Sequence, residues 1–137
     1  MQTVRRSTKY TREIGLIMAE LGHATNTQIA RELRKKFPSV SDTTVHRVTQ
    51  RLYQDGVFAL APQAKDGAVR YDVTLSQHDH FGCAQCDGLT NMTIPEKYYE
   101  ALRRKLGSCH ITGPLTVYGD CQVCNDEHAK NGSKEGV

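Results

Sequence analysis

Two Cys-x-x-Cys units constrain this chain more than any other feature: Cys83-Ala-Gln-Cys86 and Cys121-Gln-Val-Cys124, with 34 residues between them. Matched pairs of this kind supply four thiolates that close a tetrahedron around one Zn(II). Gly88 and Gly119 fit tight local turns that aim two sulfurs at one point. Each pair is therefore placed at a turn, and the strand and helix between the pairs become parts of one domain tied at both ends by metal. Disulfides are a competing use of four cysteines, but they suit an oxidising compartment. A thioredoxin-like redox motif needs one such unit leading a helix, not two matched ones. Cys109 reads as a buried small residue or a reactive thiol and is given no role. The metal also answers a problem of size. In 137 residues, 38% hydrophobic and without tryptophan, two separate cores are marginal. A metal staple or a dimer interface relieves that.

Apolar periodicity divides the chain into residues 1–73, 74–124 and a tail, 125–137. Ile14, Ile17 and Leu21 recur at helical spacing until Gly22. Thr25 with Gln28 makes a capping box for a second helix that carries Ile29, Leu33 and Phe37 up to Pro38. A third helix opens at Ser41 or Asp42, buries Val45, Val48 and Leu52, and ends before Gly56. Val57, Phe58 and Leu60 then read as a strand, Ala64-Lys65-Asp66-Gly67 as a turn, and Val69, Tyr71 and Val73 as the returning strand. Three helices followed by a hairpin is the winged-helix order. In the second half, a strand over His80–Cys83 pairs with Leu89–Met92. Pro95 opens a helix over Glu96–Leu106 with Tyr98, Leu102 and Leu106 on one face, and Gly107 stops it. Leu115–Tyr118 is the last strand. The tail from Asn125 is polar and rich in Gly, Lys and Glu, and is expected to be disordered. The fold class is α+β: an N-terminal winged-helix domain and a C-terminal α/β dimerisation domain with structural zinc.

Charge separates the halves. Residues 1–60 hold ten Lys/Arg against five Asp/Glu, and residues 61–137 eight against ten. A basic first half points to a polyanionic partner, with an uneven solvated surface as the plain alternative. No apolar run approaches the roughly 20 residues of a membrane span, and Met1–Arg12 lacks the apolar stretch of a secretory signal. A soluble, cytoplasmic protein without a membrane partner is expected.

His78-Asp79-His80 lies just before the first cysteine pair. In a strand, residues two apart share a face, so His78 and His80 can grip one metal while Asp79 points the other way. The alternative is a polar strand with two incidental histidines. The run His78-Asp79-His80-Phe81-Gly82-Cys83-Ala84-Gln85-Cys86-Asp87-Gly88 resembles the H-x-H-D-H-x-x-C-x-x-C-G signature of the ferric uptake regulator family. Thr43-Thr44-Val45-His46-Arg47, followed by Leu52 and Asp55-Gly56, is similar to that family's A-T-V-Y-R recognition helix. Tyr118-Gly119-Asp120-Cys121 resembles its Y-G-x-C. The resemblance spans roughly residues 8 to 124.

The resemblance implies a structural zinc on Cys83, Cys86, Cys121 and Cys124. It implies a regulatory metal site on His23, at the end of the first helix, with Asp72, His78 and His80. Asn91 stands where a fifth ligand, Glu or Asp, is usual. It also implies that the helix from about Asp42 to Gln54 reads DNA. Phosphate contacts would come from Lys9, Arg12, Arg47 and Arg51, and base contacts from Ser41, Thr43, Thr44, His46 and Arg47. His46 replaces the family's tyrosine. Gln77 stands where a histidine is common, so Asp79 is expected to ligate nothing at high affinity.

The expected function is a dimeric repressor of metal-homeostasis genes that binds a double-stranded DNA operator under Fe(II) or Mn(II), with Zn(II) also possible. Two alternatives lie within the family, a zinc-responsive repressor and a peroxide sensor that works by iron-catalysed histidine oxidation. Asp72 in place of Glu resembles the peroxide-sensing branch; Asn91 departs from its aspartate. No paired general base or substrate-binding loop supports a metalloenzyme. A purely structural zinc module would show no metal-dependent change in DNA affinity.

Overall fold

A computed structural model describes residues 9–132. Its contacts divide into two compact units, with the division between Leu75 and Ser76, two residues beyond the boundary read from the sequence.

The first unit runs α1 (Lys9–Leu21), β1 (His23–Thr25), α2 (Asn26–Leu33), α3 (Asp42–Gln54), β2 (Ala59–Ala61) and β3 (Arg70–Asp72). In α1 the buried stripe is Ile14, Ile17 and Met18; Leu21, expected inside, is exposed. Gly22 ends the helix at φ 78°, a left-handed conformation that favours glycine. The chain then enters β1, which the sequence reading missed, so His23 lies on a strand rather than at a helix end. β3 pairs antiparallel with β1 on one side and β2 on the other, giving the order β1-β3-β2. The strand expected over 57–60 forms two residues later, as β2.

The capping box is present: the Gln28 amide donates to Thr25 Oγ1 at 3.3 Å and the Thr25 amide to Gln28 Oε1 at 2.9 Å. α2 stops at Leu33, short of Phe37, through tighter turns in which the Lys35 and Lys36 amides donate to Glu32 and Leu33 carbonyls. Phe37 instead meets the Tyr10 ring edge-on at 5.2 Å. Ser41 Oγ accepts from the Thr44 amide and caps α3. Buried Thr49 on α3 donates to Asn26 Oδ1 at 2.7 Å and ties α3 to α2. The hydrophobic cluster of buried residues lies wholly between Ile14 and Tyr71, inside this unit.

The second unit runs β4 (Asp79–Cys83), β5 (Leu89–Met92), α4 (Glu96–Leu106), β6 (Thr116–Gly119) and α5 (Gln122–Gly132). The sheet order is β5-β4-β6: β4 is antiparallel to β5 and parallel to β6, pairing His80 with Thr116 and Cys83 with Gly119. A parallel pair needs a crossover, and α4 lies within it. Gly82 on β4 sits beneath the Tyr118 ring, where a Cβ would lie 2.8 Å from the ring carbon. Tyr98, Leu102 and Leu106 share a face of α4, but that face is exposed, and no residue of α4 is buried. Part of the stretch expected to be a disordered tail forms α5, which the Asn125 amide joins by donating to the Cys121 carbonyl at 2.8 Å. The remainder, 133–137, lies outside the described residues.

α2 has only eight residues and depends on its cap. Thr25→Ala is expected to cost about 1 kcal/mol, read as a lower thermal midpoint of the first unit with zinc content unchanged.

Candidate metal centres and nucleic-acid face

The two cysteine pairs converge. β4 ends on Cys83, and the chain reverses so that the Asp87 amide donates to the Cys83 carbonyl and the Cys83 amide to that of Gly88. The left-handed residue of this turn is Asp87, at φ 63°, and not Gly88. Gly88 leaves room beside the sulfur, since a Cβ there would come within 3.3 Å of Cys86 Sγ. The second pair opens α5 rather than occupying a turn: Cys121 precedes it and Cys124 lies in its first turn. Parallel pairing of β4 with β6, extended by the Ala84 amide donating to the Gly119 carbonyl, delivers the second pair beside the first.

All four sulfurs lie within 4.8 Å of one another, and those of Cys86 and Cys121 are 3.9 Å apart. Zn–S bonds of about 2.3 Å place tetrahedral sulfurs about 3.8 Å apart, so the donor set fits that ion. The Cys86 and Cys121 amides donate to Cys83 Sγ and, against the effect of burial, pull its thiol down to about 6. The adjoining Cys121 sulfur pushes the Cys124 thiol up. Four thiols this close cannot all ionise without a cation; a dication removes the conflict. Cys109 is exposed, which removes the reading of it as a buried small residue.

The expected regulatory ligands occur as two pairs, one in each unit. In the first, cross-strand pairing sets His23 opposite Asp72, with Nε2 3.5 Å from Oδ2. Asp72 is almost completely buried, and its other oxygen accepts from the Thr74 amide at 2.8 Å. In the second, the His78 and His80 rings lie 4.3 Å apart. His78 Nδ1 is 2.8 Å from the Ser76 carbonyl; a carbonyl only accepts, so Nδ1 carries the proton and the lone pair is on Nε2. Asn91 is the cross-strand partner of His80 and shares its face of the sheet. Asp79, on the other face, accepts from the Ile94 amide at 2.9 Å, the Leu115 amide at 3.0 Å and the Tyr99 hydroxyl. Burial opposes its charge, but these donors outweigh burial and hold the carboxyl below its ordinary range, while the same bond pushes the Tyr99 hydroxyl up.

On α3, Thr43, His46 and Arg47 are exposed, and Thr44 and Arg51 are half-buried. Ser41 is exposed but engaged, since its hydroxyl caps the helix and donates to Thr44 Oγ1. Arg12 is exposed on α1, and Lys9 Nζ lies 5.2 Å over both the Tyr10 and Phe37 rings. Arg34, absent from the sequence reading, fastens the entry to α3 by donating to the Val40 carbonyl and to Asp42. Tyr99 was missed too: the periodic face of α4 gave no sign that its neighbour was the one turned inward.

Residues 3–112 match the model of the ferric uptake regulator family. The chain is 27% identical over 116 residues to the peroxide operon regulator of Bacillus subtilis (strain 168), a match spanning 80% of this chain and 76% of that protein. Among solved structures it resembles the ferric uptake regulator from Francisella tularensis with iron, with a TM-score of 0.70, 18% identity, and coverage of 91% of this chain and 98% of that one. It also resembles a zinc uptake regulator complexed with zinc and DNA, with a TM-score of 0.58, 19% identity, and coverage of 90% and 86%. At these identities the two structures share the fold with this chain.

Zinc removal is expected to unfold the second unit and spare the first. Cys121→Ser should lose zinc by elemental analysis and lose the circular-dichroism signal of the second unit only, because ligation and folding are one equilibrium in small metal-held units. In the parent, zinc should be lost only below about pH 6, the value of the metal-free Cys83 thiol, because the bound ion competes with the proton.

Proposed function

The chain belongs to the ferric uptake regulator family, and from that premise we propose a homodimeric repressor whose grip on a DNA operator depends on a divalent ion held by His23, Asp72, His78 and His80. Members of this family are metal-dependent, DNA-binding transcription regulators and not enzymes. The observation that carries the finer reading is that each unit presents a ready half of a metal site: His23 with Asp72, and His78 with His80. Imidazole and carboxylate donors suit Fe(II) or Mn(II), and Zn(II) is also accepted by such a set. Asn91, beside His80, adds at most a neutral oxygen. The four cysteines hold a separate structural zinc, a use of thiolates that fits a reducing cytoplasm.

A bound regulatory ion supplies ligand bonds that are complete only when both units present their donors, and so favours the pose that grips DNA. The chain's own residues do the rest. Ser76 fixes the His78 tautomer, and the Thr74 amide orients Asp72. α3 offers Thr43, His46 and Arg47 to base edges, while Arg12, Arg51 and Lys9 serve phosphates. The dimer forms on the exposed apolar face of the second unit, where Met92, Ile94, Tyr98, Leu102, Leu115 and Val117 line a groove of about 510 Å³. No helix among the described residues is long and apolar enough to cross a membrane.

A peroxide-sensing mode is the second reading, favoured by Asp72 in place of Glu and by the likeness to the Bacillus peroxide operon regulator. Peroxide with Fe(II), but not with Mn(II), should then leave the His23 or His78 peptide one oxygen atom heavier by mass spectrometry.

Operator binding by the zinc-loaded protein, titrated separately with Fe(II), Mn(II) and Zn(II), tests the main reading. The His78→Ala, His80→Ala variant should keep its zinc and need more than about 100-fold more metal, beyond the 10–100-fold typical of a supporting residue. A variant that responds like the parent ends the assignment. Leu102→Asp should yield monomers by sedimentation, with zinc content retained.

A further inference from the structure

Asp79 stands between two proposed metal ligands, yet its own carboxylate is committed elsewhere. Oδ1 receives the Tyr99 hydroxyl from α4 and the Leu115 amide from the approach to β6; Oδ2 receives the Ile94 amide from the approach to α4. The His80 amide in turn donates to the Leu115 carbonyl at 3.1 Å. These three segments also build the apolar face. Ile94 and Leu115 line the groove with Tyr98, the residue beside Tyr99. A single buried carboxylate thus joins β4, which carries His80 and directly follows His78, to three of the segments on which a second copy would dock.

We propose that Asp79 and Tyr99 are positioning residues that couple the metal-binding strand β4 to the dimer face. His78 just before β4 and His80 within it flank Asp79 along the chain, so a shift of β4 that brings the imidazoles to an ion moves the carboxylate by the same backbone. Its three donors carry that shift to the start of α4 and to the approach to β6. Shape and burial alone would hold these segments together. A charged acceptor shared by three donors from two directions also sets where they sit, because charge-assisted hydrogen bonds are short and directional.

The coupling rests on the regulatory site proposed above, and by reciprocity it makes dimerisation tighten metal binding by the factor with which metal tightens the dimer. Subunit exchange between isotopically light and heavy zinc-loaded dimers, followed by native mass spectrometry, reads it directly. Saturating Mn(II) should slow exchange of the parent by about tenfold, inside the usual range of coupling between sites. Tyr99→Phe, which removes only the hydroxyl, and Asp79→Asn, which keeps the shape, should retain zinc but bring that ratio close to one. A merely structural role would lower the thermal midpoint and leave the ratio intact. The proposal is overturned if either variant, folded and zinc-loaded, keeps the parent's ratio, or if the parent is monomeric or exchanges at a rate indifferent to Mn(II). The His78→Ala, His80→Ala variant separates the two ideas. If it keeps the parent's Mn(II)-dependent operator binding, the sensor assignment fails. If it loses that binding while Tyr99→Phe keeps the exchange ratio, only the coupling fails.

Discussion

Four sulfurs drawn to within 4.8 Å of one another, at the end of β4 and the start of α5, hold together a unit with almost no apolar core. Among the described residues, Cys83 is the only buried hydrophobic residue of the second unit, and it is one of the four. Its sheet has three strands, and its longest amphipathic helix turns the apolar face outward. A sheet this small is marginal in water without something to pack on. The proposed zinc would fasten the ends of the unit, and a second copy would cover the exposed face. The winged-helix unit needs neither, because Ile14, Met18, Ile29, Leu33 and Val45 are fully enclosed.

This asymmetry suits a switch. The first unit is held by packing, and the second by hydrogen bonds around a cluster of four sulfurs, with an apolar face left exposed. Asp72, a ligand under the function proposed above, lies on β3 between β1 and β2, with one oxygen fixed by Thr74 and the other turned to His23. In the second unit His80 rides β4 and His78 directly precedes it, and the far face of that strand is anchored by Asp79. Donors held this way lose little freedom on meeting an ion, which favours affinity.

Much of this was legible in the residues. α3, β5 and α4 fall where capping serine, proline and glycine placed them, because those signals are local. The four sulfurs meet, as their matched spacing implied. The failures came from tertiary effects. β1 is three residues long and exists only because β3 pairs with it; no alternation can be read over so short a run. α2 ends early because Phe37 packs on Tyr10, a partner 27 residues away. The polar stretch after Cys124 looked unstructured, yet the chain leaves the second cysteine pair as a helix. The first turn has its left-handed residue at Asp87, and reading the turn from Gly88 overlooked it. Asp79 was expected to ligate nothing at high affinity but was not read as an anchor, since nothing in a lone acidic residue reveals Tyr99 twenty residues on.

The parallel pairing of β4 with β6 bears on how the protein is made. A ribosome releases the Cys83–Cys86 pair well before Cys121 and Cys124, and two thiolates alone form an open, exchangeable clasp. Only after β5, α4 and β6 have emerged can the tetrahedron close, since β6 must cross back to lie beside β4. Under the proposed zinc site, interrupted translation products would lack two of the four thiolates, and metal retention would follow completed synthesis.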